Sequence, residues 1–191
     1  MGNKKVILIH GYTSSPKKEK YQLIAEKLAD LEMEYSIPEL PGGEHPRSKE
    51  WLKIINREVK NTEKPIVLVG HSLGTRAILL YLDKYEREVD TVILIASFDN
   101  NYEENRKEAE GKFKDFFDYP VDIEKVKKLA DRFVVAHSKD DDAIDYNQGR
   151  RMAEELEAEL KTYDNMGHFG GGKERAEENA KAFFELIKSA L

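Results

Sequence analysis

Short β-branched runs recur along the chain at Val6 to Ile9, Ile66 to Val69, Thr91 to Ile95 and Phe133 to Ala136. Each is apolar almost without a break, the pattern of a strand covered on both faces. Tyr35 to Leu40 and Leu160 to Tyr163 read as weaker strands. Helical patterns stand between them, at roughly Lys17 to Leu31, Ser48 to Lys60, Leu73 to Tyr85, Ile123 to Ala130, Tyr146 to Ala158 and Lys173 to Lys188. Alternation of this kind leaves few architectures. It predicts an α/β fold in which parallel strands are joined by right-handed crossovers, with helices on both faces of the sheet. The 191 residues, 40% of them hydrophobic, suffice for one good core and not for two, so residues 1-191 are read as a single domain. Ser97 to Pro120 is the longest stretch without a pattern, polar at first and then carrying Phe113, Phe116 and Phe117. A loop of that size reads as a small cover over a site. The phenylalanine stripe, spaced i, i+3, i+4, reads as packing in preference to ligand contact.

The charge balance narrows the function classes. Lys and Arg number 31 against 37 Asp and Glu, a net charge of -6, so no basic stripe for nucleic acid or an anionic membrane is expected. With no cysteine, disulfides, a thiolate nucleophile and Cys-ligated metal are excluded. Met1 to Lys5 run straight into the first strand with no leader-like apolar segment, from which a cytoplasmic protein is expected.

Gly70-His71-Ser72-Leu73-Gly74 follows the run Ile66 to Val69 and opens the helical pattern beginning at Leu73. A serine on a sharp strand-to-helix turn needs neighbours without Cβ atoms, and its hydroxyl is then presented above the sheet as a nucleophile elbow. Serine is a weak nucleophile at neutral pH, so Ser72 needs a histidine base, itself oriented by an acid. His168 is the candidate base, on the glycine-flanked loop Asn165 to Gly170 before the last helix. His71 reads as packing or secondary support, His45 as part of a polar loop, and His137 as a residue that ends a strand. The acid is expected after Phe133 to Ala136, where Asp140, Asp141 and Asp142 are consecutive; Asp142 or Asp145 fits as a helix cap, and Asp99 is an outside choice. A tetrahedral oxyanion needs two N–H donors, assigned to Leu73, which follows the nucleophile, and to Tyr12 in His10-Gly11-Tyr12-Thr13-Ser14 after the first strand. Neither glycine-containing segment matches a dinucleotide fingerprint or a P-loop.

His10-Gly11, Gly70 to Gly74, the Asp140 to Asp142 loop and Gly167-His168-Phe169, in this order, resemble the α/β-hydrolase superfamily. More narrowly they are similar to its small, nearly lidless YdeN-like serine hydrolases, of the retinoblastoma-binding protein nine type. The resemblance implies a three-layer fold with a minimal six-stranded parallel sheet in order 2-1-3-4-5-6. Laid on the family's loop pattern, Ser138 to Ile144 selects Asp141 as the acid, although the usual proline positions here hold Asp142 and Asp145. The order Ser72, Asp141, His168 then follows the hydrolase arrangement. It further implies a carboxylesterase-like enzyme acting on small acyl esters with no metal or cofactor. The alternative is a non-catalytic protein-interaction module on the same scaffold, since the family includes partner-binding members. The short chain leaves little material for an acyl tunnel, so short esters are the expected substrates.

Overall fold

The computed structural model describes residues 4–170 and 172–191. Six strands, β1 (Lys5–Ile9), β2 (Glu34–Ser36), β3 (Ile66–His71), β4 (Val89–Ile95), β5 (Ala130–Ser138) and β6 (Glu159–Tyr163), form one sheet. Their order is β2-β1-β3-β4-β5-β6, every neighbouring pair parallel. Alternate residues of one strand serve opposite faces. Ile7, Ile9, Leu68, Leu94 and Val135 join a core cluster with the helices α2 (Ser48–Lys60), α3 (Leu73–Tyr85) and α6 (Tyr146–Glu155). Val6, Leu8, Val67, Val69, Ile93 and Val134 join a second with α1 (Glu19–Asp30) and α7 (Ala176–Lys188). The expected three layers are therefore present.

The chain leaves β1 toward the α1 face and β3 toward the α3 face. Two adjacent strands whose helices part in this way open a crevice at their C-terminal ends. That crevice holds Gly11, Tyr12 and Ser72.

Several element bounds differ from those expected. β2 stops at Ser36 and does not reach Leu40, because Pro38 and Pro41 have no N–H to give a ladder. The helix expected over Ile123 to Ala130 is only α5 (Ile123–Val126), since the Leu129 carbonyl accepts from Val89 N–H (2.9 Å) and β5 begins at Ala130. Ser97 to Pro120 is not structureless: it contains α4 (Tyr102–Glu108) and a 3₁₀ turn at Lys114–Phe117. Phe116 and Phe117 are fully buried in the α3-side core, and Phe113 packs at its margin. Among the described residues no helix is long and apolar enough to cross a membrane.

Candidate active site

The turn after β3 is strained. Ser72 sits at φ +54°, ψ −124°, a region that costs a non-glycine residue on the order of 1–3 kcal/mol. Three hydrogen bonds hold it there: Ser72 N–H donates to Ile95 O (2.9 Å), while its carbonyl accepts from Thr75 N–H (2.9 Å) and Thr75 Oγ1 (2.6 Å). Gly74 allows α3 to lie against the end of β1, where a Cβ would fall 2.2 Å from Ile9 O. Ser72 is thereby pressed to 8% exposure and lines a cleft of about 670 Å³ together with His71 and His168.

His168 stands on the loop between β6 and α7. The next residue, Phe169, takes φ +51° and is held by full burial of its ring beside Tyr163 (5.4 Å) and Phe183 (6.1 Å). His71 grips the same loop, donating from Nε2 to His168 O (2.9 Å) and accepting from Tyr21 Oη at Nδ1 (3.4 Å). Burial, assisted by the Lys20 charge, pushes the His71 pKa well below the usual histidine value, so it is neutral. Its role is to carry the loop.

Of the three consecutive aspartates, Asp141 is the one that meets His168. His168 Nδ1 lies 2.9 Å from Asp141 Oδ2 and 3.1 Å from Oδ1. Oδ1 also accepts from Ala143 N–H (2.9 Å) and Ile144 N–H (3.0 Å), and the carboxylate is fully buried. Burial pushes its pKa up, but hydrogen bonds from His137 and His168 outweigh that and hold the carboxyl well below its ordinary range. An ionised carboxylate only accepts, so the proton between them belongs to His168 Nδ1, and in a neutral ring Nε2 is then the acceptor.

The neighbouring acids do other work. Asp140 accepts from Ser138 Oγ (2.5 Å) and from Gly167 N–H (2.8 Å), and Ser138 Oγ in turn accepts from Met166 N–H (2.9 Å). The end of β5 is thus pinned to the loop that carries His168. Asp142 is exposed, and Asp145 caps α6 through Asn147 N–H (2.9 Å). Asp99 is occupied by Arg151 Nε (2.7 Å) and Asn105 Nδ2 (3.0 Å).

Two histidines matter more than their sequence context indicated. His137 is fully buried, its Nε2 3.3 Å from Asp141 Oδ2 and donating to Ile144 O (3.0 Å). It thus approaches the same carboxylate oxygen that His168 Nδ1 meets. Its ring needs Gly149 beneath it, because a Cβ there would come 2.0 Å from Nδ1. His10, lowered in pKa by burial, accepts from Leu40 N–H at Nε2 (3.3 Å) and so donates from Nδ1 to Gly11 O (2.9 Å). The Gly11 carbonyl and the Tyr12 N–H belong to one planar peptide and point opposite ways, so fixing the first orients the second. Among the described residues neither the Tyr12 N–H nor the Leu73 N–H donates to any protein group.

The fold and this constellation define an α/β-hydrolase. The model of the serine hydrolase family matches residues 6–177, and the chain belongs to that family. YdeN of Bacillus subtilis is 26% identical over 168 residues, 87% of this chain and 86% of YdeN. Serine hydrolase RBBP9 of Rattus norvegicus is 27% identical over 123 residues, 64% of this chain and 62% of that protein. The crystal structure of the B. subtilis ydeN product superposes with a TM-score of 0.83 over 98% of both chains at 23% identity. The chain is accordingly a YdeN-like α/β-hydrolase.

Proposed function

We propose that the protein is a carboxylesterase-like serine hydrolase in which Ser72 is the nucleophile, His168 the base and Asp141 the acid. One observation carries the reading: His168, held through Nδ1 by the buried Asp141 carboxylate at 2.9 Å, shares a cleft with a serine on a strained turn. His168 Nε2 takes the Ser72 proton as Oγ attacks the acyl carbonyl, and the imidazolium formed is stabilised by Asp141. The free N–H groups of Leu73 and Tyr12 receive the oxyanion, ready-oriented and therefore at little reorganisation cost. His168 returns its proton to the departing alcohol, leaving an acyl-enzyme. It next deprotonates water, which releases the acid and restores Ser72.

The cleft supports small acyl groups. Among the described residues lining it there is no Leu, Ile, Val, Met or Phe, so no tunnel of aliphatic side chains stands ready for a long chain. Each buried methylene would contribute about 0.8 kcal/mol in a true tunnel. The test is labelling with a fluorophosphonate probe followed by mass mapping. The adduct belongs on Ser72; an adduct on Ser14, Ser97 or Ser138, or no adduct, sinks the assignment. A kcat/KM series of 4-nitrophenyl esters then checks size, with acetate or butyrate expected above dodecanoate.

A further inference from the structure

The cleft beside Ser72 has a charge opposite to that of the whole molecule. The protein carries a net charge of -6, yet among the described residues Lys17, Lys18, Lys20 and Lys173 line this cleft against a single carboxylate, Glu19. None of these lysines is ion-paired to a carboxylate among the described residues. Some lysines elsewhere are neutralised: Lys125 meets Asp83 at 2.6 Å and Lys127 meets Glu157 at 2.7 Å.

Lys20 is the inner member. Its ammonium lies over the rings of Tyr21 (4.9 Å) and Phe183 (5.0 Å) and donates to Phe169 O at 2.7 Å, on the residue next to His168. One of its three N–H donors is thus used, and two remain. Burial, with the charge of Lys18, pushes its pKa down to about 7, so an anion settling beside it restores a full charge. Lys18 also occupies the N-cap of α1 with no side-chain capping bond, where an anionic or hydroxyl side chain would suit the helix end better. Several uncompensated positive charges in one concave site focus the field on whatever enters.

We infer that the natural substrate of this site is an ester bearing an anionic group, a carboxylate or phosphate, which the Lys17, Lys18, Lys20 and Lys173 wall holds while Ser72 attacks the acyl carbon. This rests on the serine hydrolase reading above and adds the substrate class.

The test uses matched ester pairs that differ by one charge. The first pair is the mono-4-nitrophenyl ester of adipic acid and the same ester with its far carboxyl methylated, which puts the charge on the acyl side. The second is 4-acetoxybenzoate and its methyl ester, which puts the charge on the leaving side. Rates are normalised to spontaneous hydrolysis. In at least one pair the anion should have the higher kcat/KM, and the pair that shows it tells which side of the ester faces the lysines. That preference should collapse in about 1 M NaCl, where the screening length is about 3 Å. In the Lys17→Gln/Lys20→Gln/Lys173→Gln variant the anion-to-neutral ratio should fall about tenfold. The Lys17→Gln/Lys173→Gln variant, which spares the half-buried Lys20, should show a smaller fall in the same direction. Ratios at or below one in both pairs, insensitive to salt and to the variants, overturn the inference while leaving the hydrolase reading intact. Loss of the hydrolase reading looks different: neither member of either pair is turned over faster than by Ser72→Ala protein. In that event calorimetry with the adipate monoester on Ser72→Ala protein decides. Salt-sensitive binding that the triple variant loses upholds the anion site, and no binding refutes it.

Discussion

The turns that follow β3 and β5 and the segment that follows β4 lie at the same end of the sheet, but different forces hold them. The turns are fixed by hydrogen bonds and close backbone contact: Ser72 to Ile95, Asp140 to Gly167, Asp141 to Ala143 and Ile144. Ser97 to Pro120 is fixed by buried volume. Phe116 sits edge-on to Trp51 at 5.1 Å, and Phe117 to Phe98 at the same distance. Arg76 of α3, buried to 1% exposure, donates to Phe116 O (2.9 Å), Tyr119 O (2.7 Å) and Asn100 Oδ1 (3.0 Å), tying the segment to that helix. Burial pushes the Arg76 pKa down to about 10, still high enough for it to remain charged at neutral pH. The difference teaches that the two regions should fail separately: the turns in chemistry, the segment in stability.

The largest effect expected is on chemistry alone. Ser72→Ala and His168→Ala should each cut kcat/KM by about 10⁴-fold or more, because the members of a triad act as a unit, with the unfolding midpoint nearly unchanged. A variant that keeps half its turnover breaks the mechanism, and one that unfolds breaks the contrast. Asp141→Asn should follow at about 10⁴-fold in kcat, since an amide there favours the wrong imidazole tautomer. Asp142→Asn should be nearly silent, and a severe loss confined to it would show that Asp141 is not the acid.

Next comes the opposite case. Phe116→Ala removes a fully buried ring and should cost about 3–5 kcal/mol of unfolding free energy. For a chain of this size that is roughly 6–20 °C in Tm, while kcat on a short ester stays within about threefold. A collapse of activity at unchanged Tm would place the segment in the site after all. His137→Leu sharpens the boundary, because His137 belongs to the buried interior and yet touches Asp141. Losing a hydrogen bond to a charged group should cost about 1.5–3 kcal/mol, with a fall of about tenfold or less in kcat. A change in either quantity alone would assign His137 wholly to one region.

The smallest effect is on acid stability. Asp141 has its pKa depressed in the folded state, so its stabilisation is complete above the ordinary carboxylate pKa of about 3.9 and fades as pH falls below it. Asp141→Asn should therefore flatten the acid limb of a stability-against-pH curve measured by denaturant titration. An unchanged limb would mean that the carboxylate is not held ionised by the fold.

The two regions also differ in how far the sequence disclosed them. Gly70 to Gly74 between an apolar run and a helical pattern marks its turn because strain, glycine and serine must coincide there. The strand order came from the family resemblance, since the apolar runs of β1, β3, β4 and β5 are interchangeable by pattern. Asp141 could not be separated from Asp140 by residue type. Only the fold shows that Asp140 spends its carboxylate on Ser138 and Gly167. His137 reads in the sequence only as the end of a strand, because its partner is reached across a turn, and the one trace of its ring in the sequence is Gly149. α4 was hidden for a different reason: Tyr-Glu-Glu-Asn-Arg-Lys-Glu has no apolar stripe, and its buried Asn105 is held by Asp99 in place of a hydrophobic contact.

The Ser138 hydroxyl has a dynamic consequence. Because it bonds both Asp140 and the Met166 amide, while Asp140 bonds the Gly167 amide, the end of β5 and the His168 loop must breathe together. Fluctuations that carry one outward carry the other, leaving the spacing between Asp141 and His168 nearly constant through motions that open the cleft. The Met166 and Gly167 amide hydrogens, although on a loop, should exchange with solvent as slowly as those of the strand to which they are tied, and replacing Ser138 with Ala should release both at once.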